Sequence, residues 1–302
     1  MKQLFLVTLC ITMSMITNSQ LPDVTAGTIK RFEDFHSKYV EPRNIDVWLP
    51  DGYTPQKKYA VLYMHDGQNL FDATKTWNRQ EWGVDEMMNQ LIKTGQIKNS
   101  IVVAIWNGPD RWLEYLPAKP FYSMPLAAQD SLLAGVKMQN KKVMSDKYLQ
   151  FIVKELKPFI DSSFSTYTGP YDTYIMGSSM GALISIYAVC EYPKVFGGAA
   201  CLSTHWPGGF LERPDNKLYA QAMNNYMKSH LPSPTNHRLY FDYGTETLDK
   251  NYEPYQLVVN KVVLARGYDK SNSTTLKFEG AAHTEDSWRQ RLGGPLFFML
   301  KN

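Results

Sequence analysis

The chain has 302 residues, 44% of them apolar and 20% charged, with a formal net charge of +3. This is the make-up of an ordinary globular protein with room for one large α/β domain or two small ones. The small, mixed charge excludes a nucleic-acid footprint, while an aromatic content of 13%, with 7 Trp and 19 Tyr, can serve both a core and a sugar- or aryl-binding surface.

In chain order, the first feature is a processing segment. Lys2 supplies a short positive region, and residues 4–16 form an apolar run of signal-peptide length that is too short to cross a bilayer. Small residues at Thr17 and Ser19 place cleavage just before Gln20. Leu9 precedes Cys10 where a lipoprotein signal needs a small residue, which disfavours a lipid anchor. The expectation is a signal peptide over 1–19 and a domain over 20–302. The product would be exported to the periplasm or beyond, without stable membrane insertion.

Strands are expected at 44–49, 59–64 and 100–106, with a helix at 81–92 between the second and third. A helix over 146–159 carries Tyr148, Phe151, Ile152, Leu156 and Phe159 at helical spacing. There follow a strand at 171–176, a helix from 182, a strand at 195–202, a polar helix at 215–227 and a strand at 238–243. A helix at 252–265, a strand at 275–278 and a last helix at 285–300 complete the chain. Such alternation predicts an α/β fold, a mostly parallel central sheet with helices on both faces, in one domain. Residues 117–141 interrupt it and read as a long loop, either a lid or pocket wall or a packed surface excursion. Cys190, about three turns down its helix, and Cys201, near the upper end of the next strand, are expected to be buried free thiols.

The chemistry centres on Gly177-Ser178-Ser179-Met180-Gly181. A serine between two glycines on a sharp strand-to-helix turn is a nucleophile elbow, strained, with its hydroxyl exposed. Ser179 then needs a base, and His283, in a small-residue loop after the last predicted strand, is the histidine so placed. His36, His230 and His237 stand in polar segments and read as surface residues. A carboxylate after the penultimate strand should orient the histidine. Asp249 is favoured, Glu246 is the alternative and Asp242, within the strand, a weaker third. The order serine, acid, histidine is that of an α/β-hydrolase. Oxyanion donors are expected from the Met180 N–H and from the N–H of Gly67 or Gln68 in the early loop 65–69.

Three stretches carry a resemblance: 63–72 (YMHDGQNLFD), 177–181 (GSSMG) and 282–288 (AHTEDSW). Together with Asn107-Gly108, Arg111, 114–117 (EYLP) and the region 244–256, they resemble the putative-esterase family. That family includes enterochelin-esterase-like proteins and feruloyl and acetylxylan esterases of the α/β-hydrolase fold. The resemblance runs from about Ile29 to the C-terminus. It implies Ser179 as nucleophile, His283 as base and the Gly67/Gln68 loop as part of the oxyanion hole. It supports Asp249 less securely, because the family places its acid variably.

Trp77, Trp82, Arg111, His205 and Trp206 are candidate substrate-binding residues: a tryptophan to stack on a sugar or aryl acyl group, an arginine to hold a carboxylate. Their alternative role is core packing and a structural ion pair. His65, Asp66 and His205 have no metal-ligand spacing, so no metal site is assigned. The expected protein is an exported serine carboxylesterase that needs no cofactor and removes acetyl or feruloyl groups from glycans. A siderophore esterase is the next choice, ahead of a peptidase or acyltransferase on the same fold. A non-catalytic binding protein that keeps the elbow as scaffold is the remaining class.

Overall fold

Short runs of consecutive apolar residues, bounded by turns, fold as strands covered on both faces. The computed structural model describes residues 20–209 and 215–301, so the expected signal peptide lies outside the described residues. Eight strands form one sheet: β1 (Thr28–Phe35), β2 (Arg43–Leu49), β3 (Ala60–His65), β4 (Ser100–Ile105), β5 (Thr173–Ser178), β6 (Gly198–Leu202), β7 (Arg238–Gly244) and β8 (Ser273–Phe278). Their order is β1-β2-β4-β3-β5-β6-β7-β8. β1–β2 and β2–β4 are antiparallel, and every other neighbour is parallel.

Alternate residues of the central strands feed two cores. Val61 and Tyr63 of β3 pack into one layer, and Leu62 and Met64 into the other. The covering helices are α1 (Val84–Lys93), α2 (Arg111–Tyr115), α3 (Ala118–Tyr122), α4 (Leu126–Gly135), α5 (Ser145–Phe151) and α6 (Lys157–Ser163). They continue with α7 (Met180–Glu191), α8 (Asp215–His230), α9 (Glu253–Ala265), α10 (Glu285–Arg291) and α11 (Gly293–Leu300). α7 is apolar on all sides because it is buried along its length, from Met180 to Cys190.

Register brings the functional ends together. Ser178 of β5 pairs with Leu202 of β6, which pairs with Asp242 of β7. The loops after β3, β5, β6, β7 and β8 therefore open on one edge of the sheet, where ligands of open α/β sheets bind.

Several expectations are corrected. β1 is an added antiparallel edge strand whose charged sequence, TIKRFEDF, hides it from an apolar-run reading. Residues 117–141 are not an open loop: α3 and α4 fold there, with Phe121, Met124 and Leu132 in the core. The segment packs on the core and is absent from the lining of the cavity at Ser179. The last helix breaks at Leu292 before Gly293-Gly294-Pro295, and the helix over 146–159 continues to Ser163 through a π turn at Ile152–Leu156. Cys190 and Cys201 are buried and free.

Candidate active site

Strand β5 runs directly into α7 at Ser179, and the turn leaves no space for side chains at its ends. A Cβ on Gly177 would lie 2.7 Å from the Gly181 carbonyl carbon. Ser179 itself adopts φ 57° and ψ −121°, a sparsely populated region that costs a non-glycine residue about 1–3 kcal/mol. The frame around it holds that strain: Ser179 N–H donates to Leu202 O at 2.9 Å, and His205 N–H donates to Ser179 O at 3.2 Å. Ser179 stands at the N-terminus of a 12-residue helix, whose first N–H groups lack intrahelical partners. Met180 is the first residue of that helix.

His283 and Asp249 arrive from neighbouring loops. After β7, Asp249 is buried, and its Oδ1 accepts from His283 Nδ1 at 2.6 Å. The two loops are cross-braced: Thr245 and Glu246 N–H groups both donate to Ala281 O at 3.0 Å, and His283 N–H to Thr247 Oγ1 at 2.8 Å. The His283 ring meets Trp288 edge-on at 5.1 Å and Tyr252 at 5.7 Å. Burial alone would push the Asp249 carboxyl up. The hydrogen bond and charge of His283, with bonds from Ser203 and Gly244, instead hold it below its usual value. Glu246, the alternative acid, is exposed, and the carboxylate bonded to His283 Nδ1 is that of Asp249. Asp242 is buried against Arg291 at 3.0 Å, and burial pushes its carboxyl up to about 6.

Ser179 and His283 share a cavity of about 420 Å³, lined also by Asp66, Gln68, Asn69, Trp77, Trp82, Asn107, Arg111, Ser178, Glu285 and Trp288. Of the two early-loop candidates, Gln68 faces this cavity. Gly67 does not; it is needed for contact, since a Cβ there would sit 2.7 Å from the Ala104 carbonyl carbon. Trp77 is 86% exposed at the rim, whereas Trp82 is buried and packs on Trp288 at 5.3 Å.

Arg111 does line the cavity, but it is engaged. Its Nε and Nη2 donate to the two oxygens of Asp66 at 2.6 and 2.7 Å, and Asn107 Nδ2 adds a bond of 2.7 Å to Oδ1. Burial opposes ionisation of Asp66, but the Arg111 charge and these bonds carry its carboxyl below the usual value. Arg111 is thus a structural ion-pair partner whose Nε/Nη2 edge is taken by Asp66.

His205 and Trp206 are corrected to core residues. His205 Nε2 donates to Gly209 O at 2.9 Å and Nδ1 accepts from the Tyr252 hydroxyl at 2.7 Å, while Trp206 Nε1 donates to Gln256 Oε1 at 3.0 Å. Burial pulls His205 down to about 4 and His65 down to about 3, so both rings are neutral near pH 7. His36 and His230 are exposed, and His237 is half-buried against two carbonyls. Among the described residues no three His, Cys, Asp or Glu are grouped to hold a metal ion, and no helix is long and apolar enough to cross a membrane. The sequence reading missed Ser203, Tyr252 and Arg291, which follow strands or lie on helices distant in the chain and carry no local motif.

A serine on a β5–α7 elbow, with an acid and a histidine on the loops after β7 and β8 of a mostly parallel sheet, defines an α/β-hydrolase fold. Within it, the chain belongs to the family described as Putative esterase, whose model matches residues 37–298. The uncharacterized protein YjcH of Bacillus subtilis (strain 168) is 25% identical over 171 residues, covering 57% of this chain and 59% of that protein. The chain thus spans about six-tenths of that relative's length. A ferulic acid esterase from Anaeromyces mucronatus, solved with ferulic acid, superposes with a TM-score of 0.59 at 17% identity, covering 93% of both chains. The enterobactin esterase of Shigella flexneri superposes with a TM-score of 0.62 at 16% identity, covering 92% of this chain and 60% of that one.

Proposed function

We propose that this protein is an exported serine carboxylesterase acting on acylated glycans through an acyl-enzyme. The observation that carries the reading is the strained Ser179 elbow opening on the same cavity as a His283 whose Nδ1 is fixed by buried Asp249 at 2.6 Å. Ser179 Oγ attacks the ester carbonyl while His283 Nε2 takes its proton, and Asp249 stabilises the resulting imidazolium. The tetrahedral oxyanion is held by the N–H groups of Met180 and Gln68. Collapse expels the alcohol, protonated by His283, and leaves Ser179 acylated. Water, deprotonated by His283, then releases the acid. No step requires a cofactor.

The lining favours a neutral, polyhydroxylated substrate. Asn69, Asn107 and Gln68 offer amides, and exposed Trp77 offers a flat ring for a sugar or an aryl acyl group. A catecholate siderophore is anionic, and the cavity meets it with Asp66 and Glu285 while Arg111 is already neutralised by Asp66. Export is inferred from the apolar run at 4–16.

The test is hydrolysis of a short-chain aryl ester and labelling by a fluorophosphonate, in the parent and in Ser179→Ala. Turnover and labelling in the parent, both lost in the variant, are expected. Equal background signals in the two proteins would refute the reading.

A further inference from the structure

Behind Asp249 lies a set of side chains that line no part of the catalytic cavity except through Trp288. Asp249 Oδ2, the oxygen turned away from the His283 bond, is met by Ser203 Oγ at 2.5 Å and by Gly244 N–H at 2.7 Å. An ionised carboxylate only accepts, so Ser203 is the donor. The same hydroxyl lies 3.0 Å from Trp288 Nε1 and 2.8 Å from Arg291 Nη2, groups that only donate. The one donor and two acceptor sites of the hydroxyl are thereby filled, and its proton is fixed on Asp249.

Ser203 is fully buried, at φ 46°, and its N–H donates to Asp242 O at 2.8 Å. Arg291 pairs with Asp242 at 3.0 Å and stands 3.8 Å from Asp249 Oδ2, so its charge faces both carboxylates. Trp288 binds Ser203 through its indole N–H and packs its ring against His283. Acid and base are therefore braced through one hydroxyl.

We propose that Ser203 is a positioning residue for the reaction, holding Asp249 in the orientation that presents Oδ1 to His283. The inference rests on the serine-esterase reading above. Without the hydroxyl, Oδ2 keeps the Gly244 N–H as its hydrogen-bond donor, with the Arg291 charge 3.8 Å away, the carboxylate is freer to turn, and the imidazole loses its fixed orientation. A hydroxyl that only stabilised the fold would cost the same whatever residue stood at 249.

A double-mutant cycle separates the two. For a short-chain aryl ester, Ser203→Ala should lower kcat by about 10- to 100-fold with KM changed less than about twofold, the pattern of a group acting on the chemical step. In an Asp249→Asn background the same substitution should cost less than about twofold. Ser203→Gly should behave alike, because glycine accepts a positive φ without strain, and it carries the test if the alanine variant fails to fold. Parental kcat in the folded variants, or equal losses in both backgrounds, overturns the proposal. Parental kcat in Asp249→Asn alone is a different failure, since it removes the acid assignment itself and this inference with it.

Discussion

Asp249 and Glu246 share a loop but not an environment. Asp249 is buried and accepts from His283, Ser203 and Gly244, whereas Glu246 is exposed. Converting Asp249 to Asn keeps the shape and removes the charge that fixes the imidazole tautomer and stabilises the imidazolium. Asp249→Asn is therefore expected to lower kcat by about 10⁴, the cost of a misassigned tautomer in serine hydrolase triads. Glu246→Gln alters a solvated group and should leave kcat near the parent and stability within about 0.5 kcal/mol. Steady-state kinetics on an aryl ester, with a thermal melt on each variant, checks both. A large loss in Glu246→Gln alone would move the acid to that residue.

At the scale of elements, the elbow depends on two backbones touching. The Gly177 position leaves 2.7 Å between a new Cβ and the Gly181 carbonyl carbon, whereas a Cβ at Gly181 would meet the His65 Cβ at 3.3 Å. Backbone on both sides cannot give way, but a side chain can shift slightly. Gly177→Ala is expected to cost about 1–3 kcal/mol or more, as overpacking does, and to reduce activity by displacing Ser179. Gly181→Ala should cost less. Melting temperatures and fluorophosphonate labelling rates of the two variants give the ranking, and the reverse order would show that the turn is not limited by this contact.

The same elbow was readable in the sequence because its glycines, its apolar strand and its apolar helix are contiguous, and so were the parallel strands and the order of Ser179, Asp249 and His283. β1 was not, because an edge strand with one solvated face carries Lys30, Arg31, Glu33 and Asp34 and shows no apolar run. The helices within 117–141 were hidden because they are short and are ordered by packing of Phe121, Met124 and Leu132, not by periodicity. His205 and Trp206 were placed at the right sheet edge, but burial against Tyr252 and Gln256 is a long-range contact that no local pattern announces. The Ser203–Arg291 bond joins residues 88 positions apart and was likewise invisible.

Taken as a whole, the molecule buries titratable groups whose effects on acid stability oppose one another. His65 is pulled down to about 3 and His205 to about 4 by burial. Each lies below the unfolded value of about 6.5, so its stabilising share is present above that pH and is lost as the pH falls. Asp242 is raised to about 6 by burial, and Asp85 to about 6 by burial and its neighbour Glu86. These carboxyls take up protons in the folded state before the unfolded one, so they add stability as the pH falls from about 6 towards 4.

Glu81, also raised by burial, adds to the carboxyl side, and the opposing shifts partly cancel and flatten the stability curve across that window. Below about 4 it should fall steeply, as Asp66 and Asp249, both held below their usual values, are forced to protonate. Asp242→Asn removes one compensating proton. Relative to the parent, its unfolding free energy should drop by up to about 1.4 kcal/mol for each pH unit between 6 and 4. Urea unfolding of both proteins at several pH values measures that difference. Parallel curves would mean that Asp242 does not titrate in the window and that Arg291 keeps it ionised throughout.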